Sequence, residues 1–366
     1  CCRCRVGPLP RRSRVVIAVV MVGEHPRDWP SLLSDLIAGT DLSRDDCTWA
    51  MRQIMSGDAS SVQVAGFLTS LRAKGETVDE MRGLADEMLA HATRFDAPHP
   101  SIDIVGTGGD RAHTVNISTM AALVCASAGL PVVKHGNRAA SSSSGSADVL
   151  ESLGIDLSLS PQRVEEVVAE AGITFCFAQL FHPSMRYAAE ARRGLGVATA
   201  FNFLGPLTNP GQPTYAAVGV ADRRMAPLLA GVFAGRRRDA AVFRGDDGLD
   251  ELTLATTSSV WWVRRGQVAL HRLDPERLGL PLTPTEALRG GDPAYNAEVI
   301  RKVCAGVRGA VRDAVVLNAG IALALAADAD TELHADVRAG MDCAEEAIDA
   351  GRTAALVERW VQATRR

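Results

Sequence analysis

Two short segments of this 366-residue chain combine residue types that can bind phosphate. The first is GTGGD at residues 106–110, which follows the apolar run IDIV and leads to Asn116 and a helical pattern. Small residues let backbone N–H groups approach an anion closely, and the start of the next helix adds partial positive charge. The segment lacks the Gly-Lys-Ser/Thr ending of a Walker loop, and it does not match the dinucleotide-binding pattern GxGxxG. It predicts a phosphate or pyrophosphate site, and the alternative is a glycine turn capped by Ser118.

The second segment, KHGNRAASSSSGS at residues 134–146, also follows an apolar run. Its lysine, its arginine and its serine hydroxyls supply positive charge and hydrogen-bond donors for phosphate oxygens. The alternative is a flexible serine linker, but linkers rarely lie inside a βα unit beside two cations. The segment therefore predicts a second phosphate-binding loop.

The elements that must position these loops differ between the two parts of the chain. From Trp29 to about Phe95 the apolar residues recur with helical periodicity, which predicts a small helical domain. Ser43 and Thr77, each followed three residues later by an acid, match helix N-caps. From Ile102 onward, short apolar runs alternate with helical patterns, which indicates βαβ units.

The predicted fold is α/β, with a small N-terminal all-helical domain and a larger α/β domain whose mainly parallel central sheet is flanked by helices. We expect residues 27–98 to form the helical domain, with a contribution from about 185–208, and residues 99–366 to form the α/β domain. Ligands of parallel sheets gather at the carboxyl ends of the strands. Both phosphate segments follow predicted strands, so we expect them to meet there.

Composition excludes several classes of function. The net charge of −4 provides no basic field for nucleic acid, so we expect no nucleic-acid partner. No segment is apolar over the roughly 20 residues that a membrane span requires. The cysteines after residue 26 have no zinc spacing and indicate a reducing cytoplasm. We expect residues 1–26 to be a disordered leader or a mis-started extension, with Met21 as the start.

Together, GTGGD, NIST and KHGNRAASS resemble the anthranilate phosphoribosyltransferase family. Later motifs follow in the family's order, namely HPSMR at 182–186, ARRGLGVATAFNFLGPLTNP at 191–210 and DDGLDELT at 246–253. The resemblance covers most of the chain from Trp29 to about Thr253. It implies transfer of the phosphoribosyl group of 5-phospho-α-D-ribose 1-diphosphate (PRPP) to the amine of anthranilate, the second step of tryptophan biosynthesis from chorismate. It also implies two Mg²⁺ ions per active site and a homodimer formed through the helical domain.

The resemblance implies a donor site built from both phosphate segments. Its residues are Gly106, Gly109, Asp110, Thr114, Asn116, Ile117, Ser118, Thr119, Lys134, His135, Gly136, Asn137, Arg138, Ala139, Ala140, Ser141, Ser142 and Ser146. Metal binding falls to Ser118, Asp250 and Glu251. For the acidic pair the alternative is a solvated acidic turn.

The resemblance also implies an acceptor site. Anthranilate would be received by Gly106, Asn137 and Arg192, with Arg193 as the alternative to Arg192. We expect Lys134, His135 and Arg192 to serve catalysis directly. For His135 the alternative is a core histidine bonded to the backbone.

Two residues depart from the family pattern. Arg111 replaces the glycine usual after GTGGD, and Gln179 replaces the proline usual after FCFA. We expect them to affect substrate affinity or acceptor choice and not the reaction type. The alternatives for the whole chain are a nucleoside phosphorylase, which uses free phosphate, and a non-catalytic paralogue that binds nucleic acid.

Overall fold

The structure of the protein is a computed structural model that describes residues 27–139, 143–327 and 332–366. The predictions for the leader, residues 1–26, and for Ala140, Ser141 and Ser142 lie outside these residues. Within the described ranges, no helix is both long enough and apolar enough to cross a membrane.

Four helices form the N-terminal bundle. They are α1 (Trp29–Ile37), α2 (Arg44–Ser56), α3 (Ser61–Lys74) and α4 (Val78–Ala90). The predicted N-caps are confirmed: Ser43 Oγ accepts from Asp46 N at 3.1 Å, and the Asp46 carboxylate accepts from Ser43 N at 3.0 Å. Thr77 caps α4 in the same reciprocal way. These capping boxes satisfy backbone donors that a helix start otherwise leaves unpaired.

A seven-stranded sheet forms the centre of the rest of the chain. Its strands are β1 (Ile102–Gly106), β2 (Val132–Gly136), β3 (Ile173–Phe177), β4 (Tyr215–Gly219), β5 (Asp239–Gly245), β6 (Ser258–Arg264) and β7 (Gln267–Leu273). The order is β3-β2-β1-β4-β5-β6-β7, and β1 to β5 run parallel. The mainly parallel sheet is therefore confirmed. Gly106 pairs with Gly219, so β1 and β4 end side by side.

The antiparallel hairpin of β6 and β7 closes one edge of the sheet. Arg265 and Gly266, at φ 50° and 78°, form its two-residue turn. Both residues occupy the left-handed region, which matches the twist of a tight hairpin. The sequence prediction did not identify this hairpin.

Most of the remaining helices flank the sheet, but the short helix Ala189–Leu195 packs against α3 of the N-terminal bundle. They are α5 (Ile117–Ser127), α6 (Ser146–Leu153), α7 (Pro161–Ala171), α8 (Ala178–Phe181), α9 (Ala189–Leu195), α10 (Phe201–Leu204), α11 (Met225–Gly235), α12 (Pro293–Cys304), α13 (Ala310–Ala326), α14 (Leu333–Asp349) and α15 (Arg352–Thr364). Short 3₁₀ turns lie at Pro183–Ala188, Gly205–Leu207, Glu276–Leu278 and Thr285–Leu288.

Alternate strand residues enter two different cores, as the period of a strand requires. On β4 and β5, Ala217 and Ala241 pack in the core that includes α5 and α13. Val218 and Val242, on the opposite face, pack in a core shared with α11 and with the N-terminal bundle. The helical bundle and the sheet therefore bury apolar surface against each other.

Ion pairs reinforce this junction. Arg72 of α3 pairs with Asp222, which follows β4. Glu76 pairs with Arg224 in the same segment. Because the Glu76 side chain is fully buried, its pairing offsets the cost of removing a charge from water.

Candidate active site at the carboxyl edge of the sheet

The GTGGD loop leaves the end of β1 beside the end of β4. Thr107 N donates to Gly219 O at 2.9 Å, and Ala221 N donates to Thr107 Oγ1 at 3.3 Å. Gly108 and Gly109 lie at φ 70° and 93°, the left-handed region that favours glycine. The loop thus turns sharply while tied to its neighbour strand.

The predicted acidic pair lies directly against this loop. Asp250 Oδ2 accepts a hydrogen bond from Gly108 N at 2.6 Å. A Cβ atom on Gly106 would lie 2.4 Å from the same carboxylate oxygen, and one on Gly219 only 1.7 Å from Asp250 O. Only glycine permits this approach, so the strand ends and the acidic loop fit as one unit.

Asp250 and Glu251 are each only 8% exposed, so they do not form a solvated acidic turn. Burial, followed by the nearby Asp110, raises the pKa of Asp250 to about 7. Burial and the charge of Asp250 raise the pKa of Glu251 well above its ordinary value, although Lys134 opposes this shift. The charged forms of both acids are thus disfavoured in the unliganded site, and a bound cation would stabilise them.

Other carboxylates hold the acidic loop in shape. Asp247 Oδ2 accepts from Thr253 Oγ1 at 2.7 Å, and Asp246 Oδ2 accepts from Thr257 Oγ1 at 2.6 Å. The first two acids of DDGLDELT therefore shape the loop, while its later pair faces the glycine segment. Hydrogen bonds thus divide the acids of one motif between two tasks.

Lys134 lies at the centre of the site and is 1% exposed. Its Nζ donates to Ile104 O and, at 3.4 Å, to Ser118 Oγ. Burial lowers its pKa, while the charges of Asp103 and Glu251 oppose that shift. Lys134 is thus a buried cation that joins β1 to the start of α5.

The start of α5 links the two phosphate segments. Thr119 Oγ1 donates to Ser146 Oγ at 3.3 Å, and Asn116 Nδ2 donates to Ser144 O at 3.1 Å. The helix has Asn116 at its N-cap position without a side-chain cap. The alternative of a turn capped by Ser118 is therefore not what the structure contains.

Other predicted donor residues lie along the same segments. Asp110 Oδ1 accepts from Ala112 N at 3.1 Å, and Thr114 pairs with Arg289 in an isolated bridge. Ile117 is buried in the core, so only its backbone faces the loop region. Gly136 ends β2, and its neighbour Asn137 accepts from Arg138 N through Oδ1 at 2.8 Å.

Arg138 lies on the second phosphate segment, where carboxylates of the protein already hold its guanidinium. Its guanidinium pairs with Glu151 at 2.6 Å and with Asp148 at 3.1 Å, both on α6. It also lies over the Phe177 ring, 5.4 Å from the ring centroid. These partners raise the pKa of Arg138, so the guanidinium is engaged by protein carboxylates.

Two buried histidines, His135 and His182, pack against each other near Lys134. The rings of His135 and His182 are 5.1 Å apart, and His135 Nδ1 lies 3.0 Å from Gly205 O. Burial lowers the pKa of His135 to about 4 and that of His182 to about 3. Both rings are therefore neutral at neutral pH. His135 has the backbone contact of a core histidine, while its Nε2 has no hydrogen-bond partner in the described chain.

Arg192 and Arg193 differ in their surroundings. Arg192 is half-buried on α9, 5.5 Å from the centroid of the Phe201 ring, and burial lowers its pKa. Arg193 is exposed. Arg192 has no carboxylate partner within the described residues, so its guanidinium is available to an anionic ligand.

Two buried residues were missed by the sequence prediction. Asp103 on β1 accepts from His135 N at 3.1 Å and from Asn209 Nδ2 at 2.8 Å, and burial raises its pKa to about 6. A single acid inside the apolar run IDIV was the available signal, because buried charges require partners. Asn209 lay within GPLTNP, but nothing in its spacing pointed to Asp103.

No group of three or more His, Cys, Asp or Glu side chains in the described ranges has the arrangement of a preformed metal site. Proteins usually bind Mg²⁺ through one or two carboxylates together with substrate phosphates. Asp250 and Glu251 supply two buried carboxylates beside the phosphate-type loops.

Comparisons with known proteins agree with this arrangement. The chain matches "Glycosyl transferase family, helical bundle domain" over residues 30–92 and "Glycosyl transferase family, a/b domain" over residues 99–354. It is 59% identical to the anthranilate phosphoribosyltransferase of Nocardioides sp. over 338 residues, which cover 92% of this chain and 99% of that protein.

Two solved structures extend the comparison. The anthranilate phosphoribosyltransferase of Thermus thermophilus has a TM-score of 0.86 and 39% identity, covering 92% of this chain and 99% of that one. The Saccharomyces cerevisiae enzyme in complex with PRPP and Mg has a TM-score of 0.83 and 27% identity, covering 92% and 98%. The yeast enzyme is also known in complex with 4-fluoroanthranilate.

Proposed function

The chain belongs to the anthranilate phosphoribosyltransferase family, and we propose how its own residues perform the family's reaction. The enzyme transfers the 5-phosphoribosyl group of PRPP to the amine of anthranilate and releases pyrophosphate. The observation that carries the assignment of its donor site is the contact of the GTGGD loop with the buried Asp250-Glu251 pair.

We propose that PRPP binds to the two phosphate segments that meet at the start of α5. Backbone N–H groups at a helix start and in a glycine loop are suited to phosphate oxygens. The bond between Thr119 and Ser146 brings hydroxyls of both segments together. Arg138 is the weakest member of the predicted set, since Glu151 and Asp148 already engage it. A bound donor would have to compete with those carboxylates.

The residues present fit Mg²⁺, with Ser118, Asp250 and Glu251 as the holders. Burial, and then the nearness of the other carboxylates, raises the pKa values of Asp250 and Glu251, and a bound cation would favour their charged forms. When bound, Mg²⁺ neutralises charge on the departing pyrophosphate. We propose two ions per active site, because one acid pair beside a pyrophosphate offers enough oxygen ligands for both.

Lys134 adds a protein cation on the leaving-group side. Its Nζ donates to Ser118 Oγ at 3.4 Å, and Ser118 N donates to the Glu251 carboxylate. The fixed charge of Lys134 favours the transition state because negative charge grows on the pyrophosphate as its bond to the ribose breaks.

We propose that anthranilate is held by Gly106, Asn137 and Arg192. The Arg192 guanidinium lies over the Phe201 ring and has no carboxylate partner within the described residues, so it is suited to pair with the carboxylate of anthranilate and thereby to fix the direction of the amine. Its amine is already neutral at neutral pH, so the reaction requires little general-base catalysis. The neutral His135 and His182 are therefore assigned to lining and orienting the acceptor. Attack opposite the leaving pyrophosphate inverts the anomeric carbon.

The remaining features of the enzyme are also proposals. We infer a homodimer formed through the helical domain, with domain borders at 27–98 and 99–366 and a contribution from about 185–208 to the helical part. Cytoplasmic location is supported by the free cysteines Cys47, Cys125, Cys176, Cys304 and Cys343, because reducing compartments keep thiols unpaired.

The test is an assay of the purified chain with PRPP, anthranilate and Mg²⁺, following the loss of anthranilate fluorescence. We expect turnover that stops when EDTA removes the metal and resumes with added Mg²⁺. Replacing PRPP by ribose 1-phosphate, from which a phosphorylase transfers ribose with release of phosphate, provides the control for phosphorylase chemistry. Absence of turnover with PRPP, or turnover only in the control, would refute the proposed function.

A further inference from the structure

Asn296 is a buried polar residue outside the predicted site. It lies in the first turn of α12 and is 2% exposed. Its Oδ1 accepts from Gly291 N at 2.9 Å, and its Nδ2 donates to Asn116 Oδ1 at 2.9 Å. Since Gly291 N can only donate, the orientation of the Asn296 amide is fixed, and its NH₂ group must face Asn116.

Asn116 occupies a position where its side chain would ordinarily cap its own helix. Asparagine is among the preferred N-cap residues because its side-chain oxygen accepts from the first-turn N–H groups. Here Asn116 makes no such bond. Its oxygen accepts from Asn296, and its amide nitrogen donates to Ser144 O at 3.1 Å. Both ends of the carboxamide are therefore held away from the start of α5.

The segment before α12 is itself attached to the residues that join GTGGD to Asn116. Val115 N donates to Leu288 O at 2.9 Å, and Gly290 N donates to His113 O at 2.8 Å. Asn296 is thus anchored on a piece of chain that pairs with the residues leading into Asn116. One buried side chain connects α12, the first phosphate segment and, through Asn116, the second.

We propose that Asn296 is a positioning residue for the donor substrate. It draws the Asn116 carboxamide off the helix start, so the Asn116 oxygen does not cap Thr119 N, and a phosphate oxygen of PRPP can bind there instead. Through Asn116 it also fixes the spacing of the two phosphate segments. This inference rests on the proposed function, because it assumes that the anion bound at α5 belongs to PRPP.

A purely structural role makes a different prediction. Loss of Asn296 would then lower stability and reduce the active fraction without favouring one substrate over the other. A positioning role predicts a defect confined to the donor, because without Asn296 the Asn116 oxygen is free to cap α5 and to compete with phosphate.

The experiment uses the full chain with Asn296→Ala, Asn296→Asp and the matched control Glu298→Gln, an exposed position on the same helix. Titration calorimetry measures the Kd for PRPP with Mg²⁺, steady-state kinetics measures both KM values, and thermal unfolding measures Tm. For Asn296→Ala we expect donor Kd and KM to rise about tenfold, with the anthranilate KM changed less than about twofold. The control should match wild type.

Asn296→Asp keeps the shape but turns an acceptor toward Asn116 Oδ1. We expect a donor defect larger than that of Asn296→Ala, since two oxygens then face each other without a proton. A double-mutant cycle with Asn116→Ala adds a second measurement. If Asn296 acts through Asn116, the double variant should bind PRPP no more weakly than Asn116→Ala alone.

Two results would overturn the inference: unchanged donor Kd in both folded Asn296 variants, or equal changes in both KM values together with a lower Tm. These results remain separable from failure of the proposed function. Wild type that binds PRPP without consuming anthranilate contradicts only the assigned acceptor, whereas wild type that binds no PRPP contradicts both.

Discussion

The donor and acceptor sides of the site are built in opposite ways. On the donor side, Gly108, Ser118 and Asp250 are already bonded to protein partners. On the acceptor side, Arg192 has no carboxylate partner in the described chain, and His135 Nε2 is unpaired. The donor side is thus organised before substrate binds, while polar groups on the acceptor side are available to bind the ligand. Binding of PRPP should depend on a network, and binding of anthranilate on a few single contacts.

The strongest way to break the donor side is Asp250→Asn with Glu251→Gln. We expect kcat/KM to fall by at least about 10³-fold, because the carboxylates proposed to hold the metals are gone. Tm without Mg²⁺ should stay the same or rise, because the change removes crowded buried charges. Assay and thermal unfolding on the same sample test this. A variant that loses activity through unfolding would contradict it.

Beneath both sides lies Asp103, whose pKa burial raises to about 6 from 3.8. Between those values the folded chain holds the proton more tightly than the unfolded chain. The stabilisation is therefore present below about pH 4 and is lost as the pH rises through about 6, with a size of up to about 3 kcal/mol. Lys134 and Arg238 are the charged groups that interact with it.

The side chain of the Asp103→Asn variant cannot titrate. Its free energy of unfolding, relative to that of wild type, should therefore increase as the pH rises from about 4 through about 6. Denaturant unfolding at several pH values measures the difference. Any constant offset from the changed bond to Asn209 does not affect the slope. A difference independent of pH would show that Asp103 titrates normally.

The acceptor side is tested by comparing adjacent arginines. Arg192→Lys should raise the KM for anthranilate about tenfold, because lysine cannot reproduce a two-pronged bond to a carboxylate. The KM for PRPP should change little. Arg193→Lys is the matched control and should behave like wild type. The reverse pattern would assign the carboxylate contact to Arg193.

The smallest expected effect concerns the histidines. With pKa values of about 4 and 3, His135 and His182 remain neutral through the ordinary assay range. Replacing either histidine should therefore leave the pH profile of kcat/KM for anthranilate unchanged near pH 6.5, the unperturbed histidine value. A limb there that disappears in His182→Gln would contradict their neutrality.

The sequence predicted the loops and strand ends of this site better than its buried side-chain contacts. The glycines and the strand ends were predictable because turn chemistry and parallel-sheet geometry restrict both. Asn296 gave no signal, since its partner Asn116 is distant in the chain and meets it only after folding. The assignment of Arg138 to the donor site stays a prediction, and residue type reveals its charge but not its ion pair with Glu151. The β6–β7 hairpin was missed because its strands pair in the antiparallel sense beyond the βαβ pattern.

The junction between the bundle and the sheet bears on how interchangeable the two parts are. The last residue of β4, Gly219, accepts from Thr107 N, and the segment after β4 pairs with the bundle through Asp222 and Arg224. A bundle transplanted from a relative would need an arginine at position 72 and an acid at position 76 to match it. Without them, a chimaera would leave Asp222 and Arg224 without their bundle partners. Both residues closely follow Gly219, which the glycine loop contacts. Compatibility in domain exchange is therefore determined by these four charges as well as by the shared apolar core.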